Sequence, residues 1–187
     1  MNNYNDIINA LGTKLVQHNF KDINLSLFDI NKPLNIYIAT WVNQNTYIYK
    51  NDKLPNDFGY GLVFEQDGET VYYDTRLIIS NFDFLHAYLP SALALIYTLE
   101  YISYLKFNVV NIYNDKITKL NYKTVNFNEN VLIYKFFKKA ILNCKNLTLK
   151  ISKPKTEEEL DCFSTAKEVA NFDEIVANEH RKHKHHR

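Results

Sequence analysis

Glycine is scarce in this chain: four residues in 187, alongside four prolines, two cysteines, three arginines, one methionine and one tryptophan. Four scattered glycines leave almost no room for a phosphate-cradling loop, which gathers several of them in one turn. Neither a His-Glu-x-x-His zinc pattern nor a nucleophile elbow occurs. Cys144 and Cys162 are too few and too unpatterned for a disulfide framework, and neither has a histidine at ligand spacing. They read as two reduced, buried thiols. No apolar run reaches the roughly 18 residues that a membrane-spanning helix requires. The opening, MNNYNDIINAL, is acidic and polar, unlike a secretory signal. It also lacks the arginines and acid-poor makeup of a transit peptide.

What is present bounds the class. At 187 residues and 46% hydrophobic content, the chain has enough apolar material for one sizeable core, plus extensions. The 24 asparagines and 19 lysines, set against three arginines and four glycines, follow AT-rich codon usage. That composition points to an AT-rich genome, such as that of some organelles, viruses, parasites or mollicutes. Fourteen tyrosines and twelve phenylalanines exceed what one core of this size needs, so some aromatics are expected to face a partner. Net charge is only +1, but it is unevenly spread. Residues 1–115 carry seven basic against twelve acidic side chains, and residues 156–187 carry five against eight. Residues 116–155 carry ten lysines against Glu129 alone, which marks a segment built to meet a polyanion or to be a solvated face.

The stretch from Leu89 to Asp115 organises the chain. Pro90 suits the first turn of a helix. Leu93, Ile96, Tyr97, Tyr101, Tyr104 and Leu105 keep helical spacing, while Ala92, Ala94, Leu95, Leu99 and Ile102 fill the other faces. A helix apolar on nearly all sides is buried on nearly all sides. Asn108 ends it, and Val109 to Tyr113 read as a strand stopping at Asn114-Asp115. Before it, a helix is expected over residues 4–18, weakened by Gly12, then strands over Leu34 to Val42, Tyr60 to Phe64 and Thr70 to Tyr73. The last two flank Asp67-Gly68, a strong hairpin signal. A short arm at Tyr47 to Tyr49, a polar loop over Asn51 to Asp57 and an apolar connection over Leu77 to Tyr88 link these pieces. After it come a helix over Val131 to Cys144, a strand over Leu147 to Ile151 and a helix from about 157 to about 178. Thr156 and Glu159 form the capping box of that last helix.

The order is three meandering strands followed by alternating helices and strands. Together with three local matches, it resembles the ribonuclease H family. Asn35-Ile36-Tyr37-Ile38-Ala39-Thr40 is similar to that family's first strand, which ends in a catalytic Asp. Phe58-Gly59-Tyr60-Gly61-Leu62-Val63 is similar to its GYGA-type second strand. Ser91 to Leu99, followed by Val109 to Asp115, is similar to its central helix and fourth strand. Asp161 to Lys167 falls where the last helix carries the final catalytic Asp. The resemblance implies an α/β domain over residues 33–179. Its sheet would be mixed and five-stranded, with helices on both faces. An N-terminal helical extension, 1–32, and a basic His-rich tail, 180–187, would flank it.

The family is a two-metal nuclease in which four carboxylates hold two Mg²⁺ ions, hard cations that need oxygen anions. Here the four positions are Thr40, Ser91, Asp115 and Phe163, so one carboxylate of four remains. Asp115 itself reads first as a strand-end residue in a turn with Asn114, and only second as a relic ligand. The resemblance therefore implies a non-catalytic domain with no metal, no cofactor and no small-molecule substrate. The expected role is structural or binding, within a larger assembly of RNA, protein or both, for which an organellar ribosome is one candidate host. That places it inside the cell, in the mitochondrion or the cytoplasm, away from membranes.

Candidate nucleic-acid contacts are Lys116, Lys119, Lys123, Lys135, Lys138, Lys139 and Lys145, with Arg181, Lys182 and Lys184 in the tail. Lys135, Lys138 and Lys139 share one helical face at i, i+3 and i+4. Tyr113, Tyr122 and Tyr134 are interleaved aromatics, available to stack on bases or to fill the core. His180, His183, His185 and His186 leave open a metal, an RNA or an acidic protein for the tail, beside the simple disorder usual at such a terminus. Two alternatives stand beside this reading. One is an active nuclease drawing on Asp57, Asp74, Asp83, Glu100, Asp115 and Asp161. The other is a viral protein-binding module.

Overall fold

A computed structural model describes residues 13–18, 25–43, 48–49, 52–53, 56–80, 89–115 and 131–185. The centre of the sheet is strand β2, Leu34–Asn43. Its sequence alternates two apolar sets. Leu34, Ile36 and Ile38 turn to one face, Tyr37, Ala39 and Trp41 to the other, and all are buried. A strand buried on both faces must be an interior one. Antiparallel to it runs β5, Asn56–Gln66, with Thr40 opposite Tyr60. Strand β6, Glu69–Ser80, then pairs with β5. Asp67 and Gly68 make the turn between them with φ of 55° and 81°. Positive φ at both central residues is the type I′ geometry, whose twist matches that of the strands it joins. The hairpin expected at this Asp-Gly is therefore present, and it is longer than the apolar runs alone suggested.

Helix α1, Leu89–Tyr104, delivers the chain into β7, Val109–Asn114, which lies parallel to β2 on its other side. Helix α2, Val131–Asn143, and β8, Thr148–Ser152, repeat that unit outward, with β8 parallel to β7. Helix α3, Glu157–His185, closes the described chain. It opens with the expected capping box. The Glu159 N–H donates to Thr156 Oγ1 at 3.2 Å, while Glu159 Oε2 accepts from the Thr156 N–H at 3.1 Å and the Lys155 N–H at 2.7 Å. Burial pushes the Glu159 carboxyl up, but those backbone donors and the Tyr113 hydroxyl outweigh it and hold it below its usual range.

The α/β class and the mixed sheet are as expected, and several local expectations are corrected. Residues 13–18 are not helical. Thr13–His18 form β1, antiparallel to β6, so among the described residues the sheet has six strands in the order β1-β6-β5-β2-β7-β8. The cause lies in β6. Leu77 to Ser80, expected to be a connection, extend that strand and offer an edge to which Thr13 to His18 bond. Ladder bonds outweigh a helix tendency already weakened by Gly12. The remainder of the expected helix, residues 4–12, lies outside the described residues. At the other terminus, the backbone stays helical to His185, past the expected end near residue 178. The short arm is Ile48–Tyr49, β3, and it pairs with Asp52–Lys53, β4, inside the expected loop.

Helices cover both faces. On one, α1 and α2 enclose the main core of Leu34, Ile36, Ile38, Tyr60, Leu62 and Phe64. Helix α1 is buried almost all round, as its sequence predicts, with Ala92 through Ile96, Leu99 and Ile102 wholly inside. Phe28 belongs to the same core, edge-on to Phe64 and Phe107 at 6.1 and 6.0 Å. The Gln66 amide fixes the Phe28 loop. Its Oε1 accepts from the Asp29 N–H at 3.0 Å and its Nε2 donates to the Asp29 carbonyl at 2.9 Å. On the other face, α3 packs across β2, β5 and β6. Phe163, Ala166 and Ala170 there meet Tyr37, Ala39, Trp41 and Val63.

Candidate functional site

Thr40 sits near the end of β2, on the α1 face. Ser91, in the first turn of α1, is fully buried. Their hydroxyl oxygens are 3.4 Å apart. The pairing of Ile38 with Asn114 brings the end of β7 beside β2, so Asp115, half-buried, stands at the same end of the sheet. Two of the four positions singled out by sequence thus touch, and a third lies at their level. The fourth does not join them. Phe163 is on the opposite face, buried against Tyr37 and Tyr113, with the Lys167 ammonium 4.9 Å above its ring. Two neutral hydroxyls and one carboxylate do not fit a pair of divalent ions, because the ions' mutual repulsion needs more anionic oxygen to offset it.

The other acidic candidates lie on different elements. Asp74 is buried on β6, Glu100 half-buried on α1 and Asp161 exposed on α3. Asp57 belongs to β5, and Asp83 lies outside the described residues. Among the described residues, no three His, Cys, Asp or Glu side chains group as metal ligands.

The lysines sort by element. Lys135, Lys138 and Lys139 are exposed on α2, while Phe137, Ala140 and Cys144 on the same helix are buried. That amphipathic division is what the sequence spacing predicted. Lys145 is exposed in the turn that follows, beyond the opposite end of β7 from Asp115. Arg181 and Lys182 share the closing turns of α3 with Lys184. Lys116, Lys119 and Lys123 lie outside the described residues, as does Tyr122. Tyr113 is not available to a base. It is buried and stacked on Tyr37, ring centroids 4.7 Å apart and nearly parallel.

Around that stack runs a polar seam invisible to sequence reading. Asn111 Nδ2 donates to Asn35 Oδ1 at 2.9 Å, and Asn35 Nδ2 donates to Glu65 Oε2 at 2.7 Å. The other Glu65 oxygen accepts from the Gly68 N–H. Burial pushes Tyr113 up to about 12, with the bond to Glu159 adding to it. Burial likewise raises Tyr37, whose hydroxyl bonds the Cys162 thiol, and Cys162 itself. Both cysteines are free thiols. Cys144 is buried, donates to the Leu99 carbonyl at 3.3 Å and is pushed up to about 11 by burial; Cys162 is only half-buried.

Lys150 on β8, and Lys153 and Lys155 between β8 and α3, are exposed too and lie outside the candidate set. The signal was present, since residues 131–155 hold seven lysines and no acidic residue. Until the pairing of β8 with β7 alone among the described residues is known, nothing in that run says that it borders the sheet. No family model matches the chain, and no curated protein matches it in sequence. No helix among the described residues is long and apolar enough to cross a membrane.

Proposed function

We propose that this chain is a ribonuclease H-like domain without a metal centre, serving as a non-catalytic binding subunit of a larger RNA-containing assembly. The observation that carries the reading is the contact between Thr40 and Ser91, 3.4 Å apart where the family resemblance expects carboxylates. Meeting hydroxyls at those two positions support the alignment that selected them. They also supply no charge with which to hold Mg²⁺. The antiparallel β2-β5-β6 meander, followed by parallel β7 and β8, supports the same fold reading. An organellar ribosome remains the candidate host, on composition and the basic segment.

Purification from the native source at low and high salt tests the role. The chain is expected to arrive in a large RNA-containing particle and to resist moderate salt. Arrival alone, together with Mg²⁺-dependent cleavage of an RNA–DNA hybrid, overturns the proposal. The alignment has a separate test. In the Thr40→Asp/Ser91→Glu double variant, Asp115 supplies a third carboxylate. Mn²⁺ at about tenfold over its Kd then stabilises by about 1.4 kcal/mol, a rise in Tm of about 3–6 °C. Wild type shows no such rise. Equal responses of the two proteins to Mn²⁺ refute the alignment.

A further inference from the structure

The lysines of residues 131–155 do not lie on one helix face alone. They wrap an edge of the sheet. Lys135, Lys138 and Lys139 stand on α2, and Lys145 in the turn below it. Lys150 stands on β8, the last strand of the order, and Lys153 and Lys155 lead from it towards α3. All seven are exposed, and no acidic residue interrupts them in the chain. Because Lys150 pairs with Asn111 and Ile151 with Ile112, successive β8 side chains turn to opposite faces. The positive surface therefore passes from the α2 face round to the α3 face. There Lys150 comes within electrostatic reach of Glu159. Lys106, also exposed, precedes Asn108, whose carbonyl accepts from the Thr148 N–H at 2.8 Å. Tyr104 is 76% exposed at the same end of the sheet.

We infer that this edge binds single-stranded RNA by its phosphates. The inference rests on the RNA-containing assembly proposed above only for the identity of the polyanion. Seven lysines against the three glutamates that open α3 leave this edge net positive, the electrostatic footprint that a polyanion meets. A strand from a protein partner is the poorer occupant, because lysine on an edge strand opposes strand addition. Tyr104, two residues before the exposed Lys106, is the kind of exposed aromatic on which a sequence-tolerant single-strand site stacks a base. The edge strand β8 is separated from β2, which carries Thr40, by β7. RNA would thus be held by a part of the domain that a nuclease centre at Thr40 does not occupy.

Fluorescence anisotropy with a labelled oligouridylate and the full chain tests this. If all seven lysines engage phosphates, log K falls against log salt with a slope of about −5, roughly a thousandfold loss between about 50 and 200 mM salt. The variant Lys145→Gln/Lys150→Gln/Lys153→Gln/Lys155→Gln is expected to flatten the slope by about three. Tyr104→Ala is expected to weaken binding about fivefold or more at every salt concentration. Lys167→Gln, altering the lysine over Phe163, is the control and is expected to change neither. All of these positions are exposed, and a thermal melt of each variant checks that the fold is kept. A wild-type slope shallower than about −2 overturns the inference, as does a quadruple variant that behaves like the control. Equal competition by polyglutamate overturns it in favour of an acidic protein. The two proposals also fail separately. If the quadruple variant still joins the native particle and binds oligouridylate normally, only the edge is wrong. If wild type cleaves a hybrid while the edge variant loses salt-dependent binding, only the non-catalytic reading is wrong.

Discussion

Gly61→Ala is expected to destabilise the protein by about 3 kcal/mol or more, at the upper end of overpacking costs, lowering Tm by about 6–12 °C. A Cβ at Gly61 would stand 2.5 Å from the Ala166 carbonyl oxygen and 2.6 Å from the Ala170 nitrogen. Both are backbone atoms of α3, so no side chain can rotate away. The helix would have to lift from β5 and strip contacts from Phe163, Ala166 and Ala170 against Tyr37, Ala39 and Val63. For the same reason, trimming Ala166 or Ala170 to glycine is not expected to rescue the variant. Urea titration followed by circular dichroism measures the change. A variant as stable as wild type would mean that α3 does not sit this close to the sheet.

The second large effect is alkaline. Tyr113 is pushed up to about 12 and Cys144 to about 11, both mainly by burial. Tyr37 and Tyr101 are also raised, again mainly by burial. Each group is neutral when protonated, so folding favours the protonated form. The unfolded chain loses these protons first, near pH 9 for the thiol and near pH 10 for the tyrosines. Their contribution is fully present below those values and is lost as pH rises towards the folded ones. Each group held protonated only in the folded state adds a slope of about 1.4 kcal/mol per pH unit. The three tyrosines together give about 4 kcal/mol per pH unit at the steepest point, between about pH 10 and 12. Urea midpoints at pH 8 through 11 are expected to fall with increasing steepness. Tyr113→Phe removes about one third of the tyrosine slope. A flat profile to pH 11 would show that these hydroxyls ionise freely in the folded protein.

Periodicity made the centre of the fold legible. Leu34 to Trp41 alternates apolar side chains on both faces, and α1 is apolar all round, so each had one environment in which to lie. Asp67-Gly68 fixed its hairpin because few residue pairs accept positive φ twice running. Local pattern failed where a distant neighbour decides. Thr13 to His18 form a strand because Leu77 to Ser80 offer an edge, and nothing in residues 4–18 records that. The candidate site divides in the same way. Thr40 and Ser91, 51 residues apart in sequence, could be matched only by aligning each with its own element, and they do touch. Phe163 was aligned within a helix whose approach to the sheet depends on Gly61, and it lies on the far face. The lysines were visible as charge, but their gathering along one edge follows from β8 pairing, among the described residues, with β7 alone.

The seam from Asn111 through Asn35 to Glu65 also bears on how the chain reaches this state. The β5–β6 hairpin closes across a two-residue turn, among the shortest loops a chain can make, on a timescale of microseconds. Asn111 and Asn35 stand 76 residues apart, so the pairing they cross closes one of the longest loops in the sheet. A β7 arriving one residue out of step would turn Asn111 into the apolar core and leave Asn35 without this partner. The slow step of assembly thus carries its own proofreading. The local meander can form early, while the parallel half locks only when two distant asparagines meet in register.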